Sequence, residues 1–380
     1  MSGNISNIFF GIWNNHLYRV LFFLAVLFII FYPTSYVAVD EKQYLYNAVN
    51  IINGTLKQEC IPNNYEQYKV ANYCIYKYNI GTSIFLVPAV LVNYNLSFLI
   101  TFAVFLSGVI VFSKLLKLYK LDSKYIYLYA LFPAFVYYSR TLYSEMFSLT
   151  SLFIGTYFLL SAIKRKKTMH LILSGILFGI STLCRYSNPF LIGSLVGVFA
   201  FTKDFKILFK RFFYIGIGYL PFLIFFIIFN NYLYLAPFRS GYFFSNEEQI
   251  HLWSQIPLYS LIFIGILTLV YPLMFVAPFF VKKHLRLKIV TYLMCIIIFI
   301  IYGSFPNIGE IFHGRIVDIL FGSRYLLVVV PLFLLSYAFV FTKFEIRWPK
   351  FKIIYNLFVL FLACLTIILT VLHQIFLKNR

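Results

Sequence analysis

Acidic residues are scarce in this chain of 380 residues: Asp and Glu number 12, against 32 Lys and Arg. Charged residues of either sign make up only 12%, where soluble domains carry about 25%. Cysteines are few, five in all, and no Cys/His spacing suggests a zinc site. These shortages exclude a soluble globular protein, a disordered tail and a disulfide-rich secreted module. What is abundant is apolar: 62% of the residues are hydrophobic and 22% aromatic, with 47 Phe and 32 Tyr. Apolar runs long enough to cross a bilayer recur throughout, so the chain reads as a polytopic membrane protein. A net charge of +20 would elsewhere suggest a nucleic-acid partner. Here the basic residues sit in short loops between apolar runs, which explains them by topology and argues for no nucleic acid.

Eleven apolar stretches are expected at 17–37, 96–113, 125–139, 146–163, 171–184, 189–202, 212–229, 258–280, 289–303, 325–342 and 353–376. The loops between them alternate in charge. One set carries Lys114, Lys117, Lys120 and Lys124; Lys164 to Lys167; Lys203, Lys206, Lys210 and Arg211; Lys282, Lys283, Arg286 and Lys288; and Lys343, Arg347, Lys350 and Lys352. With Arg19 these are 21 of the 32 basic residues, accompanied only by Asp122, Asp204 and Glu345. The positive-inside rule makes this set cytoplasmic. The expected fold is therefore all-α, with about 11 transmembrane helices, the N-terminus inside and the C-terminus outside. No cleaved signal peptide is expected, because the first apolar run is long and lacks a small-residue cleavage site.

The other side carries nine of the twelve acidic residues and the longer loops, at about 38–95, 230–257 and 304–324. Chemistry is expected there. Directly after the first span, Asp40 to Gly54 shows helical spacing of Leu45, Ala48 or Val49, and Ile52. This predicts an amphipathic helix on the outer membrane face, with Asp40 as N-cap and Gly54 as its stop. Asp40 is either a capping residue or a functional carboxylate; the pattern leaves both open. Cys60 and Cys74 in the same loop are candidates for a disulfide, the alternative being two free thiols. Lys77 to Thr82 form a turn feeding a second interfacial helix, and Lys77 either snorkels to headgroups or binds an anion.

Several motifs recur in order across residues 15–340. Asp40-Glu41 follow the first span, and Lys77 precedes Gly81 and Pro88. Phe132 to Arg140 precede Ser144-Glu145, Gly175 to Gly179 precede Cys184-Arg185, and Ser323-Arg324-Tyr325-Leu326 precede Pro331. In this series the chain resembles the GT-C glycosyltransferases, closest to the subgroup of protein O-mannosyltransferases, lipid A aminoarabinose transferases and their small bacterial and archaeal relatives. Tyr78-Asn79 stand where that subgroup has prolines. The resemblance implies one integral membrane domain over 1–380, with a catalytic module at about 15–230 and further transmembrane helices over 231–380. It also implies an enzyme on the outer face of a prokaryotic plasma membrane. Its donor would be a polyprenyl-phosphate-linked sugar and its acceptor a lipid-borne glycan or another envelope component.

On the resemblance, Asp40 is the general base of one inverting displacement, with Glu41 as helper. Glu145 either holds a divalent cation together with Asp40, orients the acceptor, or pairs with Arg140. Two carboxylates would favour Mg or Mn, with Zn a further candidate. Lys77, Arg185 and Arg324 are the expected donor-phosphate ligands, Arg185 having the alternative of pairing with Glu310 or Asp318. Glu310, His313 and Arg315 are expected to shape the acceptor or carrier site. Glu247, Glu248 and His251 would form an acceptor-side lid. The rival functions are a lipid or polysaccharide transporter, which would show inverted repeats and ionisable groups near mid-membrane, and a polysaccharide polymerase.

Overall fold

The computed structural model of the protein describes residues 15–36, 38–61, 67–241, 253–281, 283–303 and 323–378. Each expected apolar stretch carries helix. Helix α1 (His16–Ile30) begins where the Asn15 side chain accepts the Leu17 N–H at 3.0 Å, one of the donors that a helix start leaves orphaned. It leads into α2 (Val39–Asn53), then a two-stranded antiparallel hairpin of β1 (Tyr68–Val70) and β2 (Tyr73–Ile75), then α3 (Ile80–Val92). There follow α4 (Ser97–Leu118), α5 (Ile126–Ala130), α6 (Pro133–Tyr138), α7 (Ser144–Arg165), α8 (Thr168–Cys184), α9 (Asn188–Phe199) and α10 (Phe205–Tyr234). The remaining helices are α11 (Ile256–Val270), α12 (Ala277–Phe280), α13 (Leu285–Gly303), α14 (Val330–Arg347) and α15 (Phe351–Lys378).

Two expected spans are broken, both at proline. The stretch 125–139 divides into α5 and α6 because Phe132, which precedes Pro133, is extended at ψ 113°, as the proline ring demands of its predecessor. The stretch 258–280 divides into α11 and α12 around Pro272, where a proline cannot donate to the helix ladder. Among the described residues, five helices are long and apolar enough to cross a membrane: α4 with the turn before it, α7, α10, α13 and α15. Helices α1, α3, α8, α9 and α11 are apolar but shorter.

Helix α7 is the central element, with 83% of its apolar window buried, whereas α10 buries only 11% and presents its apolar surface outward. That surface is the lipid-facing kind, since a bilayer lets a helix be apolar all round. Helix α8 bridges the two through backbone contact. A Cβ on Gly175 would lie 2.1 Å from the Ile215 carbonyl oxygen, and one on Gly218 2.2 Å from that of Ile172. Small residues at such crossings let membrane helices approach closely. On its other side, Ser174 Oγ donates to the Gly155 carbonyl of α7 at 2.9 Å.

The hairpin is tied down by a disulfide between Cys60 and Cys74, and Gln58 and Cys74 exchange backbone hydrogen bonds at 3.0 and 2.8 Å. The Tyr73 hydroxyl then anchors the hairpin to the Leu233 carbonyl of α10 at 2.8 Å. At one end of the bundle, loops of the basic set meet one another: Lys124 Nζ lies 2.5 Å from Glu345 Oε2, and Lys164 Nζ donates to the Leu118 carbonyl. At the other end lie Asp40, Glu41 and Glu145.

Replacing Gly175 by Val is expected to separate α8 from α10 at a cost of about 1–3 kcal/mol, read as a lowered unfolding midpoint in detergent; Gly193→Val, where a Cβ meets nothing within 4 Å, leaves the midpoint unchanged.

Candidate active site

The end of the bundle that holds Asp40 and Glu145 contains a cluster built from five separate segments. Its floor is Glu145, the second residue of α7 and only 3% exposed. Glu145 Oε1 lies 3.2 Å from Arg185 Nη2 and 3.6 Å from Arg324 Nε. Arg324 Nη1 also lies 3.5 Å from Asp40 Oδ2, so one guanidinium bridges the two carboxylates. The Tyr78 hydroxyl donates to Asp40 Oδ1 at 2.6 Å. Asp40 is 26% exposed, against 3% for Glu145, so an incoming molecule reaches Asp40 first.

Each of these side chains is placed by local structure. Asp40 sits in the first turn of α2, where the helix dipole favours a carboxylate. It is not the N-cap expected above: α2 starts two residues earlier, and Ala38 is the cap. Glu41 supplies the missing acceptor instead. Its Oε1 accepts the Ala38 N–H at 3.2 Å, and its Oε2 accepts the Leu142 N–H at 2.7 Å. Glu41 is fully buried, and both oxygens serve the backbone, clipping α2 onto the turn before α7. Gly54 ends α2 at φ 68°, in the left-handed conformation its sequence position predicts.

Arg185 leaves the C-terminus of α8, and that turn is held by a buried polar network. Asn188 Nδ2 donates to Ser148 Oγ, Ser181 Oγ and the Ser181 carbonyl at 2.7, 2.6 and 2.9 Å, and Ser181 Oγ donates to the Ser148 carbonyl at 2.9 Å. Gly81 brings the start of α3 against the same turn, since a Cβ there would lie 2.4 Å from the Leu183 carbonyl carbon. Tyrosines wall the cluster. Tyr302 and Tyr325 stack with ring centroids 4.2 Å apart, and the Arg185 guanidinium lies 5.3 and 5.2 Å from their centres. Arg324 lies 4.8 Å from the Tyr325 ring and 5.5 Å from that of Tyr143, and its Nη2 donates to Tyr325 Oη at 2.7 Å. Such faces attract guanidinium ions.

The electrostatics follow. Burial alone would lower the Arg324 pKa, but Tyr325, Glu145, Asp40 and Tyr143 raise it well above its ordinary value. Arg185 is raised likewise, burial being outweighed by Tyr302, Glu145 and Tyr325. Both guanidiniums stay charged. Burial, with Glu145 and Asp40 nearby, pushes the Tyr44 phenol up, so it remains protonated.

Other expected residues lie elsewhere. Lys77 is buried with its Nζ 5.6 Å from the Tyr68 ring centre and 5.3 Å from that of Tyr78, on the hairpin side of the cluster. Arg140 does not pair with Glu145; it turns to α15, donating to His373 Nδ1 at 3.4 Å and Gln374 Oε1 at 3.0 Å. Glu310, His313, Arg315 and Asp318, like Glu247, Glu248 and His251, lie outside the described residues. Tyr143, Tyr302 and Asn188 were given no role from the sequence, and Tyr78 and Tyr325 stood in the motif series only beside Lys77 and Arg324. In a chain with 32 Tyr, no spacing distinguishes these four tyrosines as the ones that wall this site.

Arg324 lies between Asp40 and Glu145, the pair expected to hold a divalent cation, and Glu145 Oε2 is buried without a hydrogen-bond partner among the described residues. Among the described residues no three His, Cys, Asp or Glu side chains converge elsewhere.

Glu41→Gln is expected to orphan a buried backbone N–H and to cost about 1–3 kcal/mol, measured as a lowered unfolding midpoint. Asp40→Asn keeps an acceptor for Tyr78 and removes only the charge facing Arg324, so it is expected to cost no more than about 1 kcal/mol.

Residues 80–234 match the sequence profile of the dolichyl-phosphate-mannose-protein mannosyltransferase family. Among solved structures, ArnT from Cupriavidus metallidurans in the apo state aligns with a TM-score of 0.53 at 13% identity, covering 87% of this chain and 60% of that one. The chain thus spans about 60% of the length of ArnT, and at this identity the likeness is one of fold. No curated protein sequence matches. Over residues 80–234 the chain is thus similar to that mannosyltransferase family, and the fold it shares with ArnT along most of its length is that of a polytopic membrane protein.

Proposed function

We propose that the protein is a membrane glycosyltransferase that moves a sugar from a polyprenyl-phosphate carrier to a hydroxyl acceptor on the extracytoplasmic face. The observation that carries this reading is the cluster itself: a reachable carboxylate, Asp40, beside two guanidiniums organised by a buried one, Glu145. In a single inverting displacement, Asp40 takes the proton of the acceptor hydroxyl as its oxygen bonds to the anomeric carbon. The bond from that carbon to the phosphate oxygen breaks, and the electron pair leaves on the phosphate. Cations facing that oxygen stabilise the developing charge.

Of the arginines, Arg185 has more to offer the phosphate. Among the described residues its only ion pair, with Glu145, uses Nη2, whereas Arg324 already engages Asp40, Glu145 and Tyr325 through Nη1, Nε and Nη2. Lys77 serves as a third cation, a point charge behind Tyr78. The isoprenoid lies along the apolar helix faces, and the acceptor approaches from the Asp40 side. No step in this scheme requires a metal ion. A transporter would place its ionisable groups near mid-depth; this cluster lies at helix ends and in the loops between them.

The test is transfer from labelled polyprenyl-phosphate sugars by purified protein in liposomes. Asp40→Asn is expected to lower turnover by about 10²–10⁴ with donor binding retained, and EDTA to leave wild-type turnover unchanged. Undiminished transfer by Asp40→Asn contradicts the assigned base, and loss of transfer in EDTA contradicts the metal-free scheme.

A further inference from the structure

Asp40 is gripped from both sides, and the two grips differ chemically. Arg324 Nη1 faces Oδ2 at 3.5 Å; a guanidinium can only donate. The Tyr78 hydroxyl meets Oδ1 at 2.6 Å; a phenol can donate or accept. Tyr78 itself is rigidly set. It is 8% exposed, its ring lies against Tyr44 with centroids 5.1 Å apart, and two residues later the chain enters α3, pinned by Gly81 against the end of α8. A carboxylate in the first turn of α2, 26% exposed, would otherwise rotate freely about its last torsion.

We propose that Tyr78 is the positioning residue of Asp40, and that Oδ1 is the oxygen that receives the acceptor's proton. This rests on the reading of Asp40 as the base. A proton arriving on Oδ2 would face the guanidinium, which cannot accept a hydrogen bond. A proton arriving on Oδ1 faces an oxygen that can. The Tyr78 hydroxyl then turns from donor to acceptor and holds the carboxyl group in place through the transfer. The acceptor hydroxyl loses its proton to Oδ1 as its oxygen bonds to the anomeric carbon, and no further co-reactant is needed.

Tyr78→Phe removes the hydroxyl and keeps the ring. In liposomes it is expected to lower kcat by about ten- to a hundredfold, the scale on which misplacing a reactive group acts, while the donor KM stays within about twofold. A second measurement needs no turnover. The chain contains four aspartates, so carboxyl-¹³C-aspartate labelling with subtraction of Asp40→Asn isolates the Asp40 bands in the infrared. Those bands are expected to shift in Tyr78→Phe. An unshifted band overturns the proposal whatever the activity, and so does an unchanged kcat in an active enzyme. A wild type that transfers no sugar, with the band still shifting in Tyr78→Phe, overturns the transferase reading and leaves the positioning contact standing.

Discussion

A single buried carboxylate organises the acidic end of this bundle. Glu145 is 3% exposed, and a carboxylate at that depth is costly unless charges and hydrogen-bond donors surround it. It receives two guanidiniums, from Arg185 at the end of α8 and from Arg324 ahead of α14. Because Arg324 then reaches Asp40, the charge on the central helix fixes the geometry of the outer carboxylate as well. Removing Glu145 would leave two buried cations with one partly exposed partner.

The helix packing serves this arrangement. Helix α7 is the most enclosed of the long helices and carries Glu145 at its start. Helix α8 lies against it and, through Gly175, against α10, so its C-terminus and Arg185 arrive at one fixed height. Gly81 seats α3 on that terminus, which brings Lys77 and Tyr78 alongside. Glu41 clips α2 to the backbone at Leu142, three residues before Glu145. Backbone approach and buried hydrogen bonds, rather than side-chain bulk, set the distances between the ionised groups.

Much of this was legible in the sequence, for a physical reason. A bilayer forces long apolar runs, and the basic loops mark one side, so the helices and the grouping of the acidic loops follow from composition and order. Asp40, Glu145, Arg185 and Arg324 stood out through the ordered motif series, and Arg185 also because a charge at the edge of the hydrocarbon is costly unless partnered. What the sequence concealed was pairing. Arg140, five residues from Glu145, was a natural partner on spacing, yet it turns to Gln374 and His373 on α15. Asp40 and Glu41, adjacent and alike, have opposite fates, one half-open and one committed to the backbone. Helix phase separates them, since α2 is capped at Ala38, two residues before the expected cap, and this turns Glu41 onto the Ala38 and Leu142 N–H groups. The tyrosine walls were invisible for a different reason, since aromatic residues are abundant wherever chain meets membrane interface.

On the proposed function, Glu145 holds Arg185 where it can meet the donor phosphate and, through Arg324, fixes Asp40 beside it. Binding of a polyprenyl monophosphate, the sugar-free carrier, to wild type and to Glu145→Gln in detergent, each checked for folding by thermal melt, tests it without requiring the sugar or the acceptor. Tight binding to wild type and a loss of about tenfold or more in Glu145→Gln are expected, in line with the worth of a charged hydrogen-bonded contact. Equal affinity of the two folded proteins would contradict it.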